Sequence, residues 1–86
     1  MKISFYASII DYTNGAACFE AKKSSSIREL IDELGDQFGN KFKEFLLSDN
    51  TCFFLVDGKG IINSGGLNTK INPDDKIEIL PFVEAG

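Results

Sequence analysis

The stretch Ser26 to Gly39, SIRELIDELGDQFG, decides how the rest of the 86-residue chain is read. Ile27, Leu30, Ile31, Leu34 and Phe38 recur at helical spacing and form a single apolar stripe. Arg28, Glu29, Asp32, Glu33 and Asp36 occupy the other faces. A stripe of that width belongs to a helix that buries one side and leaves the rest to water. Ser26 and Glu29 match the capping box, in which an N-cap hydroxyl and a carboxylate three residues on satisfy the first free amides. Gly39 is the expected stop, with Gly35 as an alternative one turn earlier.

Upstream of this helix, Lys2 to Ile10 (KISFYASII) alternates. Ile3, Phe5, Ala7 and Ile9 fall on one face, and Lys2, Ser4, Tyr6 and Ser8 on the other. Period two with one polar face predicts a half-buried strand. Asp11 to Gly15 (DYTNG) carries Asn-Gly, a hairpin turn signal. Ala17 to Lys22 then returns as a second strand.

Downstream, Lys41 to Leu47 (KFKEFLL) predicts a short second helical turn. Cys52 to Val56 (CFFLV) is a continuous apolar run, which suits a strand buried on both faces. Asp57-Gly58 reads as a turn, Ile61-Ile62 as a short strand and Asn63 to Asn68 as a loop. Asn72-Pro73-Asp74-Asp75 is another turn. Lys76 to Leu80 (KIEIL) alternates as the last strand, and Pro81 is expected to end it. Six residues, Pro81 to Gly86, remain as a flexible tail, so a folded unit over 1–80 carries a tail over 81–86.

The element order is strand, strand, helix, strand, short strand, strand. A helix stripe and inward strand residues must bury each other, which predicts an α+β domain with one main helix across one face of a mixed sheet of about five strands. If the last strand lies beside the first and parallel to it, the sheet is a ubiquitin-like β-grasp.

Composition narrows the function. Nine Lys and Arg against thirteen Asp and Glu give a net charge of −4, and Lys22-Lys23 is the only basic doublet. Nucleic-acid binding needs clustered cations to neutralise phosphates, so no nucleic acid is expected. An acidic chain instead suits a basic docking surface on a partner. No apolar run approaches a membrane span, so no membrane is expected and a cytoplasmic location is the default. Two cysteines and no histidine supply neither a four-ligand zinc site nor a four-cysteine iron–sulfur cluster, so no metal is expected. The missing histidine also removes the usual general base, and Gly65-Gly66 lacks the Lys and Ser/Thr of a phosphate loop. A chain that catalyses alone is not expected.

With these residues in place the chain resembles the MoaD/ThiS family, the small subunit of molybdopterin synthase and, more distantly, the thiamine sulfur carrier. Phe5-Tyr6-Ala7, Ser26 to Leu34, Val56-Asp57-Gly58, Leu67-Asn68-Thr69 and Asp74-Asp75-Lys76-Ile77 carry the likeness in order. Ile79-Leu80-Pro81-Phe82-Val83-Glu84-Ala85-Gly86 resembles the family's Leu-x-Pro-Pro-Val-x-Gly-Gly end. Two positions depart from it: Phe82 stands for the second proline and Ala85 for the penultimate glycine.

The resemblance implies a carrier whose Gly86 carboxylate is adenylated, then converted to a thiocarboxylate. It implies that ATP and a sulfur donor are used through a separate MoeB/ThiF-like activating enzyme, and that a MoaE-like large subunit of molybdopterin synthase receives the tail. Pro81, Phe82, Val83, Glu84 and Ala85 are the implied tail. Strand phase places Tyr6 and Leu80 outward, and the family uses such a sheet-face patch to dock both partners. The same fold also serves protein modifiers that end in an isopeptide bond to lysine, carriers for thiamine, tungsten-cofactor or tRNA-thiolation pathways, and plain interaction modules.

Overall fold

A computed structural model describes residues 1–48, 51–63 and 65–82, apart from the side chain of Asn63. Five strands, β1 (Lys2–Phe5), β2 (Cys18–Glu20), β3 (Cys52–Val56), β4 (Lys59–Gly60) and β5 (Lys76–Pro81), and two helices, α1 (Ile27–Phe38) and α2 (Asn40–Leu47), make the domain. The sheet order is β2-β1-β5-β3-β4. β1 and β5 run parallel, with Ile3 opposite Ile77 and Phe5 opposite Ile79, and the other neighbours are antiparallel. This is the expected β-grasp.

One face of the sheet carries the core. Ile3, Phe5, Phe54, Ile77 and Ile79 meet Ile27, Leu30, Ile31 and Leu34 of α1 and Phe42 and Leu46 of α2, all buried. Each such side chain contributes roughly 1.5–3 kcal/mol by leaving water. The opposite face of the sheet has no helix packed on it among the described residues.

α1 begins as predicted, with the Glu29 N–H donating to Ser26 Oγ at 3.2 Å. The return bond shifts by one residue: Glu29 Oε1 accepts from the Ser25 N–H at 2.9 Å and the Ser25 hydroxyl at 2.8 Å. The helix ends at Gly39, whose φ of 110° only glycine adopts without strain. Gly35 is not a stop. It is buried, and a Cβ there would lie 2.9 Å from Lys43 Cβ, so glycine permits α1 and α2 to pack this closely.

Five strand predictions need correction. The first strand stops at Phe5, not Ile10. Ala7, at φ 51°, turns the chain into a 3-10 segment over Ala7–Tyr12. Period three puts Ile9 and Tyr12 on one side. Ile9 is buried, and Tyr12 stacks on Phe42 and Phe45 at 5.5 and 4.5 Å, while Ala7 is exposed. The Asn14-Gly15 turn forms, but it folds back on that segment through Gly15 N–H to Ile10 O at 2.9 Å.

The second strand spans Cys18–Glu20 rather than Ala17–Lys22, because the Lys22 and Lys23 amides donate to Glu33 of α1 at 3.0 and 3.4 Å. β3 is covered on one face only, so Phe53 is 46 % exposed beside buried Phe54. The predicted strand at Ile61-Ile62 is a 3-10 turn over Ile61–Asn63; β4 is Lys59–Gly60, paired through the Asp57-Gly58 turn. A second 3-10 turn, Gly66–Asn68, lies within the predicted loop, whose Ser64 falls outside the described residues.

The last correction concerns Pro81, which does not end the last strand but belongs to it, opposite Cys52. The ladder explains why proline fits. Tyr6 N–H donates to Ile79 O at 3.1 Å, so Ile79 and Pro81 direct their backbone groups toward β1, and β1 has already ended. The N–H that proline lacks has no strand partner to lose.

Candidate functional site

The end of β5 brings the predicted site residues to the open face of the sheet. Outward positions on β5 are Lys76, Glu78, Leu80 and then Phe82; on β3 they are Phe53 and Leu55, with Phe53 opposite Leu80 and Leu55 opposite Glu78. Leu80 is half-buried between these neighbours, and Tyr6 is exposed just past the end of β1. Both predicted patch residues therefore lie on one face of adjacent strands. The Tyr6 hydroxyl donates to Glu78 Oε2 at 2.9 Å. That bond, and the repulsion a phenolate would meet from the carboxylate, hold the Tyr6 phenol protonated to higher pH than usual.

Phe53 was not anticipated as a site residue, yet it is the more exposed member of the cluster. Its ring packs against Phe82 with centroids 4.7 Å apart and planes at 39°. Phe82 also donates its N–H to Thr51 O at 3.0 Å, continuing the β3–β5 ladder one step beyond Pro81. So of the six predicted tail residues, Pro81 and Phe82 are tied to the sheet. Val83, Glu84, Ala85 and Gly86 lie outside the described residues. The signal that finds Phe53 is the doublet itself. A strand under a single helical layer buries alternate residues, so Phe53 and Phe54 cannot both face the core.

From Phe53 and Phe82 a groove of about 330 Å³ runs past Leu47, Ile61, Ile62 and Leu67, and no charged side chain of the described residues lines it. Among the described residues, Leu47, Phe53, Ile62 and Phe82 are four of the five large apolar side chains that stand exposed; Tyr6 is the fifth. Such a concentration marks a protein-binding surface more than a scatter of single residues would. The thiol of Cys52 lies at the groove's inner wall, and burial pushes its pKa up, so it is held as the unreactive thiol. Among the described residues no helix is long and apolar enough to cross a membrane.

The match to protein families rests on nearly the whole chain: residues 3–86 fit the model of the ThiS family, through the terminal glycine. The chain belongs to the ThiS family. ThiS-family members are small ubiquitin-like sulfur carriers, which agrees with the resemblance read from the sequence. No curated protein matches the sequence. Solved structures are similar in fold at low identity. A chain of the Amycolatopsis orientalis BexX/CysO complex is 23 % identical, with TM-score 0.83, over 99 % of this chain and 98 % of that one. Small archaeal modifier protein 1 of Methanosarcina acetivorans is 22 % identical, with TM-score 0.78, over 99 % and 94 %. A Pyrococcus furiosus protein described as a candidate molybdopterin converting factor, subunit 1, is 18 % identical, with TM-score 0.70, over 95 % of each chain. These likenesses establish the β-grasp fold; the family assignment rests on the ThiS match.

Proposed function

We propose that this ThiS-family chain carries sulfur on the carboxylate of Gly86 and delivers it in molybdopterin synthesis as the small subunit of the synthase. The observation that carries the reading is the family match, which extends to residue 86. The chemistry follows from an ordinary α-carboxyl. With a pKa of about 3.5 it is an anion at neutral pH and a poor electrophile. In this reading a separate MoeB/ThiF-like enzyme binds ATP. The Gly86 carboxylate oxygen attacks the α-phosphorus, the bond to the β-phosphate breaks and pyrophosphate leaves. A sulfur donor then attacks the acyl carbon, AMP departs with the bridging oxygen, and a thiocarboxylate remains. The carrier supplies the acyl group and no catalytic base, and both steps belong to a cytoplasmic partner.

The open-face cluster supports this reading by its position. Tyr6, Phe53, Leu80 and Phe82 surround the point from which the chain leaves β5, so an apolar partner surface seated there holds the tail's start as Gly86 enters its active site. Four residues, Val83 to Gly86, follow Phe82 and span at most about 14 Å when extended. A MoaE-like large subunit would receive them after sulfur loading. Gly86 leaves the acyl carbon unhindered. Ala85 adds a methyl that costs about 1 kcal/mol if the partner requires positive φ there.

The test is intact mass after incubation with ATP, a sulfide source and candidate activating enzymes. Replacement of one oxygen by sulfur, absent in a Gly86 deletion, is the expected result. An unchanged mass with every such enzyme would overturn the carrier reading. The likeness to small archaeal modifier protein 1 favours a second reading, conjugation to lysine. A lysine-linked Gly86 conjugate in cell extract would select it.

A further inference from the structure

The sheet has a second exposed feature, on the edge farthest from β3. β2 pairs with β1 alone, and among the described residues no strand lies on its outer side. The ladder defines what that side offers. Phe5 N–H donates to Ala17 O at 2.8 Å, Ala21 N–H donates to Met1 O at 2.9 Å, and Phe19 lies opposite Ile3. Ala17, Phe19 and Ala21 therefore spend their backbone groups on the β1 side, and Cys18 and Glu20 direct theirs outward. The edge is bounded at one end, because the next outward amide, that of Lys22, is taken by Glu33.

Alongside this edge, between β2 and α1, lies a groove of about 540 Å³. Phe19 and Lys23 line it from the strand side; Glu29, Asp32, Glu33 and Asp36 line it from α1. A strand added outside β2 would alternate its side chains as any strand does. Those on the Phe19 side of the sheet would enter this groove. An aliphatic stem fits over Phe19, and a cationic head at its end meets carboxylates that outnumber Lys23. Asp32 already shares Lys43 at 2.8 Å, Glu33 is held by the Lys22–Ser24 loop and Glu29 by the Ser25 amide and hydroxyl. That leaves Asp36 to take the incoming cation.

We propose that the outer edge of β2 binds an extended segment of a partner protein as a sixth strand, with a lysine or arginine of that segment in the Phe19–α1 groove. Main-chain bonds to Cys18 and Glu20 supply the registration and the acidic groove selects the side chain, the division of labour general to strand addition. A second copy of this chain is disfavoured as the occupant. Pairing two β2 edges would bring Glu20 and the acidic groove of each copy together, in a chain of net charge −4.

The edge lies beyond β1 from the tail's exit, so the proposal stands whether or not Gly86 carries sulfur. It is tested by amide chemical shifts of the full chain titrated with a capped peptide of alternating lysine and valine. Shifts concentrated at residues 18–20 and 32–37 are expected, weakening as salt rises past 0.15 M, where screening reaches about 8 Å. Replacing the peptide lysines by glutamate should abolish binding. N-methylating the amides that face Cys18 and Glu20 should weaken it about fivefold for each bond lost. Asp36→Lys, at an exposed position, should weaken it about three- to tenfold with the fold unchanged. Equal binding of the N-methylated peptide would reduce the site to charge attraction and overturn the proposal. So would shifts centred elsewhere, or concentration-dependent self-association through β2 without peptide.

Discussion

The ring of Phe82 rests on that of Phe53, centroids 4.7 Å apart, while the Phe82 amide bonds Thr51 across the same pair of strands. The chain is thereby held to the sheet through Phe82, past the Pro81 that was expected to end the strand. Phe82→Pro removes the donor and the ring together; Phe82→Ala removes the ring alone. Loss of one hydrogen bond and of the ring contact should lower stability by about 1–2 kcal/mol in the first variant and about half that in the second. Thermal denaturation read beside amide exchange at the β3–β5 ladder separates the two. Equal midpoints for wild type and Phe82→Pro would show that the pair contributes nothing in solution.

Phe53 should matter for partners more than for folding. It is 46 % exposed and none of the described core depends on it. Phe53→Ser is expected to shift the melting midpoint by only a few degrees. In the carrier reading proposed above, it should weaken binding to an activating enzyme about tenfold or more, as loss of a central aromatic contact does. Calorimetric titration of that enzyme with both forms checks this, and unchanged affinity would move the docking surface elsewhere.

Gly35→Ala tests the contact between the helices. The added Cβ would lie 2.9 Å from Lys43 Cβ, which is fixed to the α2 backbone and cannot swing away. Helix propensity favours the alanine by about 1 kcal/mol, so a net loss requires the clash to exceed that. Overpacking of this kind typically costs about 1–3 kcal/mol. The expected outcome is a midpoint lowered by several degrees, and a stabilised variant would mean that α2 moves aside freely.

Glu33 connects stability to acid. Partial burial pushes its pKa up. The bonds from the Lys22 amide, the Ser24 hydroxyl and the Lys23 amide, with the Lys23 charge, outweigh this and leave it below the ordinary glutamate value. A carboxyl whose folded pKa is depressed adds stability above its unfolded pKa and loses it as pH falls through the folded one. The melting midpoint should therefore decline as pH drops from the ordinary glutamate range to below it, and Glu33→Gln should flatten that part of the decline. An identical acid profile in Glu33→Gln would show that the β2–α1 loop is held by other bonds.

Tyr6 gives the opposite sign at the alkaline end. Its hydrogen bond to Glu78, and then the charge of Glu78, raise its pKa. The stability it adds is complete below the ordinary tyrosine value and is lost as pH rises through the raised one. In a Tyr12→Phe background, absorbance titration should find the remaining phenol ionising above free tyrosine. Glu78→Gln should bring it back toward the free value. No change on Glu78→Gln would place the Tyr6 ring away from Glu78 in solution.

Local chemistry sufficed where a residue's role is settled by its immediate neighbours in sequence. The apolar stripe of α1, its Ser26 cap, the Gly39 stop and the turn at Asn72–Asp75, closed by Asp75 N–H to Asn72 O at 3.0 Å, were all legible because their bonds span at most four residues. Strand alternation around Ile3, Phe5, Ile77 and Ile79 was legible too, and with it the outward phase of Tyr6 and Leu80. What sequence left open was which faces and edges would be covered. Phe53 looks like a core residue until the sheet is seen to carry helices on one side only. Lys22 extends a strand on paper, but its amide and that of Lys23 belong to Glu33, 11 and 10 residues away. Ala7 to Ile10 continues the strand alternation on paper, yet stacking of Tyr12 on α2 and the end of the β1–β5 ladder make Ala7–Tyr12 a 3-10 segment. Periodicity states which residues must share a face. Only the tertiary structure supplies the layer or strand that buries a face, because burial and pairing are properties of two surfaces and each segment contains one of them.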